Sequence, residues 1–266
     1  MSFSSPIGTR ISLDIFQARG QTNPDGWGIG YYIDGLLQVI KEPRPAVRSM
    51  LYEFAEHTIE TKTLISHVRR STCGVRSYTN THPFYRSVYV GGRLSEFAFA
   101  HNGTVKDVDR FPPECFSPLG TTDSETIFCY ILERLVKRGV VQWTTHDFEF
   151  LRDLLTDIND QENEVNCILT NGELLFCYSD ENRHNGGLRL LRRTPPFQAL
   201  DLVEGEDVLG TVEMSTQNIA GPPAEAAMGY IVVTRALTGG EWDEFRPGEL
   251  VVFREGHIVF PDDRLD

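Results

Sequence analysis

Arg69, Thr72, Asn102, Gly103 and Asp123 have side chains or backbones suited to holding a small polar substrate, and each follows or starts an apolar element. An arginine grips a carboxylate through two parallel N–H···O bonds. Arg69 and Arg70 leave the end of a strand-like run, Thr63 to Val68, and Ser71 and Thr72 add hydroxyls beside them. An isolated pair of arginines there also reads as a surface ion pair on a solvated loop. Asn102-Gly103 follows Phe97-Ala98-Phe99-Ala100-His101. It reads as a tight turn closing the strand Glu96 to Ala100. If it is functional, the Asn102 amide and the Gly103 N–H form an oxyanion-binding corner. Asp123 falls in the first turn of a helix, where a carboxylate offsets the helix dipole or accepts from a substrate ammonium group. An arginine for a carboxylate and an aspartate for an ammonium together specify an α-amino acid head.

His67, His82 and His101 raise the question of a metal, and Cys73 that of a thiol nucleophile activated by His67 or His101. No i,i+4 histidine pair and no carboxylate cluster accompanies them. Hydrogen-bonded loop or core histidines are therefore expected, with no metal and no cofactor. Cys129, Cys167 and Cys177 lie in apolar runs and are expected to be buried and inert.

Several elements must position these residues. Trp27 to Ile33 and Leu36 to Ile40 read as a hairpin turning at Asp34-Gly35, and the glycines at 26, 28 and 30 suggest close approach of another backbone or a ligand. From Val47 to about Ile59 the apolar residues Val47, Met50, Leu51, Phe54 and Ile59 follow helical spacing. Thr122 with Glu125 is a capping box opening a helix that Gly139 ends. A second helix is expected over 146–158. Asn171-Gly172 is a strong hairpin signal, and strands are expected near 188–193, 207–213, 229–235, 249–254 and 257–260. Residues 1–22 give no clear pattern, although Ile11, Leu13 and Ile15 alternate as in a short strand.

The 266 residues suffice for one core without staples, and nothing marks an internal boundary, so a single domain over 1–266 is expected. A formal net charge of −13 disfavours nucleic acid and anionic lipid as partners. Five widely spaced cysteines without a C-x-x-C pair fit a reducing compartment. With no apolar run of membrane-spanning length and no signal-like start, a cytoplasmic protein is expected.

Asp25-Gly26-Trp27-Gly28, Ser66-His67-Val68-Arg69, Asn80-Thr81-His82-Pro83-Phe84, Phe99-Ala100-His101-Asn102-Gly103 and Thr122-Asp123-Ser124-Glu125 occur in that order. Together they resemble the class II glutamine amidotransferases, most closely their stand-alone bacterial branch. Ala236-Leu237-Thr238-Gly239-Gly240-Glu241-Trp242 looks like a late motif of the same branch. The resemblance implies an α+β fold, the four-layer αββα sandwich of two antiparallel sheets found in N-terminal-nucleophile hydrolases. It implies hydrolysis of glutamine or another γ-glutamyl compound through a thioester. Arg69 would bind the substrate α-carboxylate with Thr72 nearby, Asn102 and Gly103 would form the oxyanion hole, and Asp123 would bind the α-ammonium.

In that family a cysteine follows the initiator Met, and its own α-amine is the base. Here Ser2 stands at that position, and no cysteine precedes Cys73. Three readings follow: a cysteine-bearing half-strand upstream of Met1, Ser2 as nucleophile, or a catalytically inactive γ-glutamyl-binding or scaffold subunit. The expected partner is a small-molecule substrate, and the sequence leaves a homo-oligomer open.

Overall fold

The computed structural model describes residues 1–8, 23–70, 75–160, 162–195, 200–204, 207–212, 227–236, 238–239 and 241–265. Two antiparallel sheets carry the fold. In chain order, the first contains β1 (Ser2–Gly8), β2 (Gly26–Ile33), β3 (Leu36–Glu42), β4 (Glu60–Arg69), β9 (Arg189–Arg193), β12 (Gly229–Val233) and β13 (Asp243–Glu244). Its spatial order is β13-β9-β12-β1-β4-β2-β3. The second contains β5 (Phe84–Val90), β6 (Arg93–Thr104), β7 (Glu164–Thr170), β8 (Leu174–Tyr178), β14 (Leu250–Arg254) and β15 (His257–Phe260). These lie in the order β15-β14-β8-β7-β6-β5. A separate hairpin pairs β10 (Leu200–Glu204) with β11 (Asp207–Val212). Among the described residues, three α-helices cover the outer faces: α1 (Met50–Thr58), α2 (Asp123–Arg138) and α3 (Thr145–Ile158).

Three apolar clusters fill the three gaps between these layers. Ile65, Ala98, Ala100, Leu175, Val232 and Phe253 join the two sheets. Phe99, Phe128, Leu132, Leu151 and Phe176 join the second sheet to α2 and α3, with the Phe99 and Phe128 rings stacked at 5.3 Å. Phe3, Trp27, Ile29, Tyr52 and Ala55 join the first sheet to α1. This is the expected αββα sandwich, and burial of apolar side chains on both faces of each sheet holds it together.

Local chemistry accounts for the elements. The Thr122 hydroxyl caps α2 by accepting from the Glu125 N–H at 3.2 Å, and Gly139 ends the helix in the left-handed region at φ 71°. Only half of the expected capping box forms. The Glu125 carboxylate instead accepts from the Leu119 and Gly120 N–H groups and from Arg86, tying down the approach to the helix. At Asn171-Gly172 the Asn171 side chain accepts from Glu173 and Leu174 N–H, and Gly172 takes φ 87°. Gly28 is required by close approach, because a Cβ there would collide with the His82 carbonyl oxygen.

Two expectations are corrected. Ser2–Gly8 is the central strand of the first sheet, in a stretch whose serines and proline hide the strand pattern. The apolar spacing over 47–59 does not mark the buried face: Met50 is 86% and Phe54 61% exposed, and although Ile59 is buried, the helix itself turns Tyr52, 1% exposed, inward. Ser49 sets this phase. It caps α1 by accepting from Tyr52 N–H and donates to the Glu42 carboxylate, which turns Tyr52 edge-on to Trp27 at 4.9 Å between ring centroids. Tyr52→Ala is therefore expected to cost on the order of 3 kcal/mol. Phe54→Ser should stay within about 0.5 kcal/mol. Urea denaturation of the two variants checks this, and a larger loss for Phe54→Ser would reverse the assignment of faces.

Candidate active site

A cleft of about 770 Å³ opens between the two sheets at one end of the sandwich. Its position follows from register. Ser2 of β1 pairs with Thr63 of β4 on one side and Tyr230 of β12 on the other. Met1 continues the ladder: its amine donates to the Leu64 carbonyl at 2.7 Å and its carbonyl accepts from Leu64 N–H at 3.1 Å. β4 then runs on to Arg69 and β12 to Val233. Ser66, His67, Val68, Arg69 and Arg70 line one side of the cleft there, and Val232, Val233, Thr234 and Arg235 the other. The two strands are thus rails flanking a lane one strand wide. The buried Met1 amine has no carboxylate partner among the described residues, and burial pushes it down to about 6.

The second sheet supplies the opposite wall. Ala100 to Thr104 of β6 line it, together with Thr122, Asp123 and Ser124 at the start of α2 and Glu164 and Asn166 of β7. Asn102-Gly103 is not a turn. Both residues lie inside β6, opposite Asn166 and Val165 of β7. A turn expectation from Asn-Gly fails here because β6 runs unbroken to Thr104. The glycine answers to crowding instead: a Cβ on Gly103 would strike the Glu164 carbonyl and the His101 ring. The Asp123 carboxylate accepts from Val105 N–H at 2.7 Å, which fastens the start of α2 to the end of β6.

Arg69, Asn102, Gly103 and Asp123 therefore meet at one cleft. Arg69 is buried and belongs to the rail; Asn102 and Gly103 lie on the facing sheet. Thr72 and Cys73 lie outside the described residues. Ser2 does not face the cleft: it is buried, and its hydroxyl accepts from Gly256 N–H at 3.2 Å. No cysteine lines the cleft among the described residues. Cys129, Cys167 and Cys177 are buried as expected, and burial raises the thiols of Cys129 to about 11 and Cys177 to about 12.

Sequence reasoning did not anticipate Ser124, Asn166, Asn185, Thr234 and Arg235 at the site. Ser124 came closest to being legible, since it stands beside Asp123 in the capping motif. His101 Nε2 lies 2.9 Å from the Glu164 carbonyl, which only accepts, so that nitrogen carries the proton. His101 Nδ1 then accepts from the Ser124 hydroxyl at 2.9 Å. The His67 and His82 rings lie near Arg69, tilted 39° to each other with centroids 4.3 Å apart. Burial lowers all three imidazoles, His67 to about 4 and His82 well below its usual value. They are neutral at pH 7, leaving the guanidinium groups as the positive charges of that wall. Among the described residues, no group of three or more His, Cys, Asp or Glu is arranged to hold a metal ion.

A sandwich of two antiparallel sheets with a polar cleft at the ends of its central strands defines the architecture of the N-terminal-nucleophile hydrolases. The family model for class II glutamine amidotransferases matches residues 1–264. This chain belongs to that family. It is 35% identical over 264 residues to the uncharacterized protein MJ1515 of Methanocaldococcus jannaschii, spanning 99% of this chain and 70% of that protein. YafJ of Escherichia coli K12 is 29% identical over 251 residues, spanning 92% and 91%. Among solved structures, the predicted glutamine amidotransferase of Pseudomonas aeruginosa PA01 superposes with a TM-score of 0.63 at 25% identity, covering 89% of this chain and 87% of that one. The glutamine phosphoribosylpyrophosphate amidotransferase of B. subtilis shares the fold at a TM-score of 0.55 and 14% identity, this chain spanning 47% of it.

The neutral histidines carry a linkage consequence. An unfolded histidine takes its proton near 6.5, whereas these resist it until lower pH. The folded state then binds fewer protons, and stability is lost as pH falls from about 6.5 toward 4. Thermal denaturation between pH 7 and 5 should show a falling Tm, with a shallower slope in His67→Gln. A flat profile, or equal slopes, would overturn the assignment.

Proposed function

We propose that this chain forms the glutaminase-type site of a hydrolase that opens γ-glutamyl amides, glutamine or another γ-glutamyl compound, through a thioester. The observation that carries the reading is the convergence of Arg69, Asp123 and Asn102-Gly103 on one cleft from two different sheets and a helix start. Arg69 takes the substrate α-carboxylate and Asp123 its α-ammonium. That places the γ-carbonyl toward Asn102 and Gly103. A thiolate adds to the carbonyl carbon, and the oxyanion is stabilised by the Asn102 amide and the Gly103 N–H. The C–N bond breaks as the leaving nitrogen takes a proton, and water then hydrolyses the thioester. Thr72 completes the α-carboxylate contacts in this reading.

The nucleophile enters, in this proposal, on an extended segment lying in the lane between β4 and β12. Two observations support it. The ladder position of the buried Met1 amine suits a peptide N–H, which carries no charge to desolvate. Counting the register back from Ser2↔Thr63, the partner of Arg69 falls six residues ahead of Ser2, at the mouth of the cleft. A terminal cysteine there has its own α-amine as base, near its working pH. The absence of a cysteine among the described cleft residues favours a second reading, a γ-glutamyl-binding or scaffold subunit without turnover.

Glutaminase assays separate the two. Residues 1–266 are compared with a form extended to the nearest upstream in-frame Met-Cys. Ammonia release from glutamine by the extended form alone supports the hydrolase; inactivity of both supports the binding subunit. In the active form, Asn102→Ala should lower kcat by roughly 10²–10³ with little change in KM. A loss confined to KM would remove Asn102 from the oxyanion hole. With glutamine as ligand, Arg69→Ala should weaken binding far more than Arg70→Ala, and equal effects would overturn the carboxylate clamp.

A further inference from the structure

The end of the sandwich away from the cleft presents apolar surface that the cleft chemistry does not use. β6 spans the whole distance: Ala100 to Thr104 line the cleft, and Arg93 to Phe97 line a second pocket of about 230 Å³ at the other end. Leu36 of β3 and Val141, which follows the end of α2, line the same pocket with Trp143. Val141 lies against the β5–β6 turn, where a Cβ on Gly91 would strike it. Ladder register widens the patch, because Ile33 stands opposite Leu36 and Tyr89 opposite Leu94. Ile33, Leu36, Tyr89, Leu94 and Val141 are each between 49% and 68% exposed.

Those five side chains expose roughly 500 Å² in one place, which is large for the surface of a monomer. One side of a standard interface covers about 800 Å², so the patch together with a polar rim is enough for one. The pocket is smaller than sites for free small molecules, which start near 300 Å³, and leaves room for one large side chain. Interfaces concentrate their binding energy where an aromatic anchor fills such a pocket. The rim carries both signs. Arg93 is exposed and has no ion-pair partner among the described residues, while Glu96 and Glu173 line the same pocket. A surface that offers a knob, a hole and charges of both signs is complementary to itself. Met50 and Phe54 on α1 are also exposed, but neither lines either of the two pockets described.

We infer that two copies of this chain associate through this patch about a two-fold axis, Tyr89 of each entering the pocket of the other. Leu36, Leu94 and Val141 then form the dry centre of the contact, and Arg93 meets acidic side chains of the other copy across its rim. The two clefts lie at the far ends of the pair and stay open. The inference concerns this surface alone and does not depend on the chemistry of the cleft.

Sedimentation velocity of the 1–266 protein over a range of concentrations tests this. The wild type should sediment with twice the mass of one chain. Tyr89→Asp and Leu94→Asp, both at exposed positions, should each weaken the association roughly thirtyfold or more, with Tm unchanged. Phe54→Ser, exposed on α1 and outside the patch, should leave the dimer intact. A wild type that stays monomeric at the highest concentration overturns the inference, including the case in which the patch serves a different protein. A dimer that both aspartate variants retain, or one that Phe54→Ser dissolves, also overturns it. So does a mass that keeps growing with concentration, which marks an open contact instead of a closed pair. Should an aspartate variant lower the Tm, Arg93→Glu gives the reading at a side chain with no ion pair to lose, and a dimer of unchanged affinity overturns the inference.

Discussion

The register of β1 between β12 and β4 is the constraint on which the site depends. An antiparallel strand holds its two neighbours parallel to each other and two strand spacings apart, roughly 9.5 Å. Ser2 meets Thr63 and Tyr230 at the same level, so β4 and β12 leave the ladder in step. Everything the first sheet contributes to the cleft follows: Arg69 and Arg70 from one rail, Val232 to Arg235 from the other. A one-residue slip would turn each side chain to the opposite face. Phe3 and Ile7 resist such a slip, because both are buried in the cluster beneath α1 and would be brought out of it.

The two walls are held by different chemistry. The first sheet's wall is a ladder, rigid along its strands. The second wall depends on side-chain ties at a helix start, with Asp123 fixed by Val105 N–H, Thr122 by Glu125 N–H, and Ser124 by His101. His101 is itself fixed by the Glu164 carbonyl on β7. Gly103 allows this arrangement, since any side chain there would displace both the carbonyl and the ring. Asn102 is therefore presented from a strand whose neighbours on both sides are locked. That suits an oxyanion donor, which gains most when no reorganisation is needed at the moment of reaction.

Much of this was legible in the sequence where short-range chemistry decides. Thr122 and Gly139 bound their helix, Asn171-Gly172 turns its hairpin, and Gly28 marks a close backbone approach. The family motifs carry Arg69, Asn102, Gly103 and Asp123, and these four line one cleft. The failures came where tertiary contacts decide. The spacing of Val47, Met50, Leu51 and Phe54 satisfies a helical face as well as Tyr52 and Ala55 do, and tertiary contacts, among them Ser49–Glu42 and Tyr52–Trp27, go with the second face. Asn102-Gly103 has the same dipeptide as Asn171-Gly172. Pairing with β7 keeps the first in a strand, while the side chain of Asn171 folds the second into a turn. Ser124 and Arg235 could not be read because their importance comes from what faces them across the cleft. Thr72 falls outside the described residues.

The buried histidines complete the electrostatic logic. His67 and His82 pack against each other near Arg69, and Lys41 lies close by, donating to the Thr81 and Pro83 carbonyls. Were both imidazoles charged, Arg69 would stand in a crowd of like charges inside a poorly screened interior, and folding would pay for it. Burial prevents this by lowering the imidazoles to where they stay neutral at pH 7. The positive charge of the wall is thereby confined to guanidinium groups, which do not lose their protons in this range. A wall built this way keeps its guanidinium charges as the pH rises from 7, and acid weakens the scaffold without changing them.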